Sequence, residues 1–221
     1  MTAHPLRIDI VSDVICPWCI IGYKQLEKAL AMLGDKVDPT ITWHPFELNP
    51  GMAPEGQDIG EHVAQKYGAN AEQSAGNRAR LKEAGDRLGF AFTQAPGMRI
   101  YNSFKAHQLL TWAGDVHGSE VQTALQLALF KAYFQDSRDI SDEDVLLSIV
   151  ADVALDPEDG RAVLNDPDNE AAVRAHLGHW IEQGISGVPA IIFDGKYLVP
   201  GAQEAETFVN VIEKLRTKAM A

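Results

Sequence analysis

Cysteine is scarce in this sequence: 221 residues contain two, Cys16 and Cys19. A scaffold held by several disulfides is thereby excluded. Basic side chains are also in deficit, 19 against 31 acidic ones, for a formal charge of -12. That balance disfavours nucleic acid and anionic membrane surfaces as partners. No segment approaches the roughly 18 uninterrupted apolar residues of a membrane-spanning helix. The start of the chain lacks the basic and apolar regions of a secretory signal, so a cytoplasmic location is expected. Repeats and low-complexity segments are missing too. What is present is a 46% hydrophobic composition, enough to bury a substantial core, in a length that suits one domain with a large insertion or two small ones.

The two cysteines stand together in Cys16-Pro17-Trp18-Cys19, directly after an alternating apolar segment and at the start of a helical pattern. Residues three apart share one helix face, so the two sulfurs can close a small disulfide or attack in sequence. At the helix N-terminus, unpaired backbone N–H groups and the positive end of the macrodipole favour a Cys16 thiolate. Cys16 is therefore expected to be the nucleophile. Cys19, one turn inside, is expected to resolve it with a more ordinary thiol pKa. Three plainer readings compete: a structural disulfide, half of a zinc site completed by histidines, and two unreactive buried thiols. The junction of strand, motif and helix favours the redox-active dithiol, and a reducing cytosol favours a catalytic pair over a structural one.

Leu6, Ile8 and Ile10 alternate with Arg7 and Asp9, which predicts the first strand. Ile20, Leu26, Ala29, Leu30 and Leu33 then follow helical spacing up to Gly34, a suitable C-cap. A second strand is predicted over Ile41 to Phe46, with Pro45 at an edge or end. After the Pro- and Gly-containing stretch from Asn49 to Pro54, helical patterns prevail, least clearly between Ile59 and Gly89. Asn102 and Ser103 read as N-caps. Ser119 with Gln122 reads as a capping box before a stripe of Val121, Ala124, Leu125, Ala128 and Ala132, with Leu127, Phe130 and Phe134 as a second stripe. Ser141 with Asp144 opens another helix. Val173, Leu177, Trp180 and Ile181 define the last helix of this block. Two strands around Asp194-Gly195 predict a tight hairpin, and Ala205, Phe208, Ile212 and Leu215 form the face of a final helix. The order βαβ, helical block, ββα describes an α/β thioredoxin fold with a large all-helical insertion. The expected division is residues 1–54 and 182–221 for the thioredoxin-like domain and 55–181 for the insertion.

In that fold, Gly187-Val188-Pro189-Ala190 lies beside the dithiol. A cis Pro189 would leave the backbone of Val188 free to pair with an extended substrate. With Cys16-Pro17-Trp18-Cys19-Ile20-Ile21-Gly22, Phe46-Glu47-Leu48-Asn49-Pro50 and Ala132-Tyr133-Phe134, these residues resemble the DsbA-like thioredoxin superfamily, in its cytoplasmic FrnE-type branch of dithiol-disulfide isomerases. The resemblance implies a thiol-disulfide oxidoreductase or isomerase with Cys16 as an exposed nucleophile and Cys19 as its catalytic partner, Pro17 and Trp18 completing the motif, and Val188 and cis-Pro189 binding substrate. It also implies an insertion that overhangs the dithiol, which makes His107 a candidate for lining the substrate cleft. Two departures stand out. Trp18 occupies the position of the histidine in periplasmic DsbA proteins, and Ile10 that of the buried acid six residues before the first cysteine. Asp13 is nearer the motif and is weighed as a proton relay against an exposed loop or helix-capping carboxylate.

The partners implied are proteins or small molecules carrying thiols or disulfides, with glutathione a candidate co-substrate, no other cofactor and no metal. A homodimer is compatible with the sequence. The related glutathione-dependent 2-hydroxychromene-2-carboxylate isomerases and kappa-class glutathione transferases are the alternative enzyme reading, opposed by Cys16 where those proteins generally have serine. A redox-sensing interaction module is the non-enzymatic alternative. His176 and His179 are read as a solvated helix face rather than metal ligands, and His44 as structural.

Overall fold

The computed structural model describes residues 3–93 and 97–219. Strand β1 (His4–Ser12) is the centre of the main sheet. Its alternation buries Leu6, Ile8 and Ile10 on one face and turns Arg7, Asp9 and Val11 to the other. Helix α1 (Pro17–Leu33) lays Ile20, Leu26, Ala29 and Leu33 into the core. It stops at Gly34, whose positive φ of 55° suits a residue without Cβ. Strand β2 (Val37–Pro45) returns parallel to β1, in register from His4 opposite Val37 to Ser12 opposite Pro45.

Beyond β2 come the two-residue strand β3 (Gln57–Asp58) and helices α2 (Ile59–Tyr67) and α3 (Ala71–Arg87). Strand β4 (Arg99–Ile100) pairs antiparallel with β3 in a small second sheet that the sequence patterns did not indicate. Helix α4 (Phe104–Trp112) passes through a π-helical turn into α5 (Ser119–Phe134), followed by α6 (Glu143–Asp152), α7 (Pro157–Leu164) and α8 (Pro167–Glu182). Asn102 caps α4 by accepting from Phe104 N at 2.9 Å. Two predicted caps are corrected. The N-cap of α5 is Gly118, and that of α6 is Asp142, which accepts from Val145 N. The buried face of α5 is correspondingly rotated, with Gln122, Leu125, Gln126, Leu129 and Tyr133 inside and Ala124 outside.

Gln122 is instead a bridge between the insertion and the sheet. Its Oε1 accepts from Trp43 N at 2.9 Å, and its Nε2 donates to Trp43 O at 2.9 Å and to Leu110 O at 3.1 Å. The side chain thus pairs with the outer edge of β2 as a neighbouring strand would. Pro39 and Pro45 share that edge by strand alternation and present no N–H there.

The chain then adds β5 (Ala190–Phe193), antiparallel to β1, and β6 (Tyr197–Pro200), giving the order β2-β1-β5-β6. Asp194 and Gly195 turn the hairpin with φ values of 52° and 65°, as a type I′ turn requires. Helix α9 (Ala205–Ala219) buries Ala205, Phe208, Ile212 and Leu215 and packs along α1. The opposite face of the sheet carries a smaller cluster of Val11, Ile185, Ala190 and Ile192, with Phe46, Trp180 and Val188 against it. This is a thioredoxin fold interrupted by a helical insertion, and it brings the ends of β1 and β2 and the start of β5 to one end of the sheet.

Candidate active site

At that end β1 gives way to α1, and the junction sets the two cysteines in unequal surroundings. Cys16 is the N-cap residue, with an extended backbone, and Pro17 opens the helix where a missing N–H is harmless. Carboxylates are absent from the first turn of α1, so nothing there competes for its N-terminal dipole. Both thiols are free; the expectation of an exposed Cys16 is corrected, since it retains only 4% exposure against the Val188 carbonyl, and Cys19 has none. Burial, reinforced by the adjacent Cys16 sulfur, pushes the Cys19 thiol well above its ordinary range. The expected ordinary pKa for Cys19 is therefore corrected: one turn of helix carries this sulfur out of contact with water.

The Val188–Pro189 peptide is cis. The Val188 carbonyl accepts from the Cys16 thiol across 3.8 Å, and Pro189 is buried beside α1. Close approach depends on Gly22: a Cβ there would lie 3.0 Å from Pro189 Cγ and 3.5 Å from Ala202 Cα. The Pro189 carbonyl is fixed in turn by Gly201 N at 2.8 Å. Residues 172 positions apart are thus held as one surface.

Behind the motif lies Asp13, which is fully buried. The reading of an exposed loop carboxylate is corrected. Its Oδ1 accepts from Ile15 N at 3.3 Å and its Oδ2 from Leu48 N at 2.7 Å, so one side chain ties the loop entering α1 to the loop leaving β2. His107 Nε2 lies 3.6 Å from Asp13 Oδ1 and 3.0 Å from the Phe46 carbonyl. A carbonyl only accepts, so Nε2 carries the proton. At 2% exposure His107 does not line an open cleft. It packs inward from α4 and braces the loop after β2, because the carboxylate and carbonyl that satisfy it are both interior. Glu47, between these groups, is half-buried, and burial raises its carboxyl pKa.

The rim of the site is aromatic. Trp18 is 42% exposed beside the sulfurs, and Tyr67, at the end of α2, is 63% exposed. Burial, with a smaller contribution from the Cys16 sulfur, pushes the Tyr67 phenol up. Lys66 fixes this end of α2 by donating to Leu48 O and Asn49 Oδ1, each at 2.7 Å. Sequence reasoning did not single out Tyr67 or Lys66, whose segment lacks apolar periodicity. Elsewhere, His176 and His179 lie exposed on α8. Among the described residues no group of three or more His, Cys, Asp or Glu side chains is arranged to hold a metal ion. His44, read as structural, has a partner within the fold: its Nε2 lies 2.8 Å from Asp9 Oδ1 and its ring stands against Trp180.

The family model for the DSBA-like thioredoxin domain matches residues 7–213. A probable DsbA oxidoreductase, SCO1869, from Streptomyces coelicolor shares 32% identity, with a TM-score of 0.86 over 95% of this chain and 89% of that one. The uncharacterized protein YwbO of Bacillus subtilis is 25% identical over 99% of this chain and 100% of its own length. The cytosolic disulfide reductase DsbM from Pseudomonas aeruginosa, also solved with GSH, shows the same fold at 17% identity and a TM-score of 0.65, over 96% of this chain and 99% of that one. The chain belongs to the DsbA-like thioredoxin domain family.

Proposed function

We propose that this DsbA-family chain is a thiol-disulfide oxidoreductase that exchanges disulfides through Cys16 and Cys19. The observation that carries the reading is the unequal placement of the two sulfurs: one at a helix N-terminus, retaining 4% exposure, the other sealed one turn inside. In the reductive direction the Cys16 thiolate attacks one sulfur of a substrate disulfide. The substrate S–S bond breaks, one substrate sulfur leaves as a thiolate and takes a proton, and the other remains joined to Cys16. Cys19 then attacks Cys16, closing the internal disulfide and releasing the second substrate thiol. Substrate dithiols are oxidised by the reverse sequence. Ionisation of Cys16 removes its S–H donor from the Val188 carbonyl, which becomes free to accept an N–H from an extended substrate.

Trp18, within the motif, and Tyr67, at the end of α2, present exposed aromatic faces that suit peptide or small organic thiols. The likeness to DsbM, a cytosolic disulfide reductase also solved with GSH, supports glutathione as a co-substrate and a reducing compartment. A glutathione-dependent isomerase that uses serine at the first motif position fits poorly with a second thiol buried behind the first. Incubation with glutathione disulfide followed by mass spectrometry tests the reading. Cys16→Ser is expected to abolish exchange and Cys19→Ser to accumulate the mixed disulfide at Cys16. Full and equal activity of both variants would refute the mechanism.

A further inference from the structure

The resolving step demands a thiolate from a sulfur that has no contact with solvent. Something in the interior must therefore stabilise negative charge on Cys19. The sheet beneath α1 is apolar along β1, where Leu6, Ile8 and Ile10 point toward the helix. The next residue on the same face is Ser12, at the end of the strand nearest the motif. Ser12 is 1% exposed, and its hydroxyl is a buried polar group with no hydrogen-bond partner among the described residues. Leaving such a group unpaired is destabilising, so its retention calls for a use. Its backbone is committed to structure, the carbonyl accepting from Phe46 N at 3.0 Å, whereas the side chain is not.

We propose that Ser12 is a catalytic residue of the resolving step, its hydroxyl donating a hydrogen bond to the Cys19 sulfur as that sulfur ionises and attacks Cys16. The backbone N–H of Asp13 is the second donor, so that strand end and motif loop together cradle the developing charge. Both groups act to lower the Cys19 thiol, against the larger effects of burial and the Cys16 sulfur, which raise it. In the balanced step Cys19 gives up its proton and the Cys19–Cys16 bond forms. The bond from Cys16 to the substrate sulfur breaks, and its electron pair leaves with that sulfur. The proton ends on the departing thiolate, or in water where the leaving group is a weak base. Ser12 keeps its own proton throughout.

This inference rests on the two-step reading above, and one experiment separates their failures. The reduced protein is mixed with 5,5′-dithiobis(2-nitrobenzoate) in a stopped-flow absorbance experiment. Attack by Cys16 releases a first thionitrobenzoate and resolution by Cys19 a second. A wild-type protein that releases only the first overturns the two-step reading itself. Given two phases, Ser12→Ala is expected to slow the second about tenfold or more, as loss of a charge-assisted hydrogen bond implies. The midpoint of its pH profile should rise by about one unit, with the first phase unchanged. Ser12→Thr against Ser12→Val supplies a pair of equal shape differing in the hydroxyl, and Thr should retain the faster second phase. Unchanged resolution in Ser12→Ala, equal slowing of both phases, or equal rates in the Thr and Val variants would overturn the assignment.

Discussion

Replacing Asp13 by alanine tests whether the buried carboxylate is the brace that shapes the dithiol loop. The substitution strands two backbone donors, Ile15 N and Leu48 N, which Asp13 accepts at 3.3 and 2.7 Å. An interior donor left without a partner costs about 1–3 kcal/mol. The longer Ile15 contact falls at the weak end of that range, and Leu48 N is near enough the surface for water to repay part of its loss. The expected destabilisation is therefore about 2–4 kcal/mol, measured as the shift in urea midpoint at constant slope. Asp13→Asn keeps one acceptor oxygen but turns an NH₂ toward the other backbone N–H, and about half the loss is expected. Because the two donors belong to the loops on either side of the motif, alkylation of Cys16 by iodoacetamide should also slow several-fold in Asp13→Ala. A midpoint within about 0.5 kcal/mol of wild type would show that the carboxylate does not carry the loop junction, and the reasoning would fall.

Asp9 makes an opposite use of burial. Desolvation pushes its carboxyl up, but hydrogen bonds from His44 and Arg7 outweigh that and hold it below its ordinary value. A depressed folded-state pKa means that its stabilisation is complete above the unfolded value of about 3.9 and is lost as pH falls through the folded value. Asp9→Asn is accordingly expected to be less stable at neutral pH and to show a shallower acid limb than wild type in urea midpoints taken from about pH 5 downward; parallel curves would refute the pairing. Gly22→Ala places a Cβ 3.0 Å from Pro189 Cγ. The helix gains about 1 kcal/mol of propensity, which offsets much of an overpacking cost of about 1–3 kcal/mol. The variant should melt near wild type yet exchange disulfides several-fold more slowly, because the Pro189 loop must shift; wild-type turnover would show that the spacing of α1 and this loop is not critical.

What could be read from the sequence was what short-range rules govern. Period-two alternation located β1, Asp194-Gly195 located the hairpin, and the face of α9 was read residue by residue, because each depends on neighbours a few positions away. The same local reasoning failed at Gln122. Ser119 and Gln122 have the spacing of a capping box, but Gly118 occupies the cap and the glutamine reaches 79 residues back to Trp43. A polar side chain that pairs with a distant strand edge and one that caps its own helix leave the same local pattern. Asp13 posed the same difficulty. Next to a motif it resembles a loop or capping carboxylate, and only the arrival of Leu48 and His107 makes it an interior group.

That division has a chemical counterpart. The position proposed for the nucleophile is shaped by local means: a helix start, a proline at its first position and no competing carboxylate, all within a few residues of Cys16. The surroundings of Asp13, three residues before the motif, are assembled from afar, by the loop after β2 and the helix that carries His107. The helices between β2 and β5 thereby brace the edge of β2 and the loop behind the motif rather than only covering them. Gln122 closes the edge of β2, and His107 supports the Phe46 carbonyl two residues before the Leu48 N–H that Asp13 accepts. Substitutions on the exposed rim at Trp18 or Tyr67 should then alter which thiols are accepted, whereas substitutions in this interior frame should alter how fast Cys19 answers, whatever the substrate.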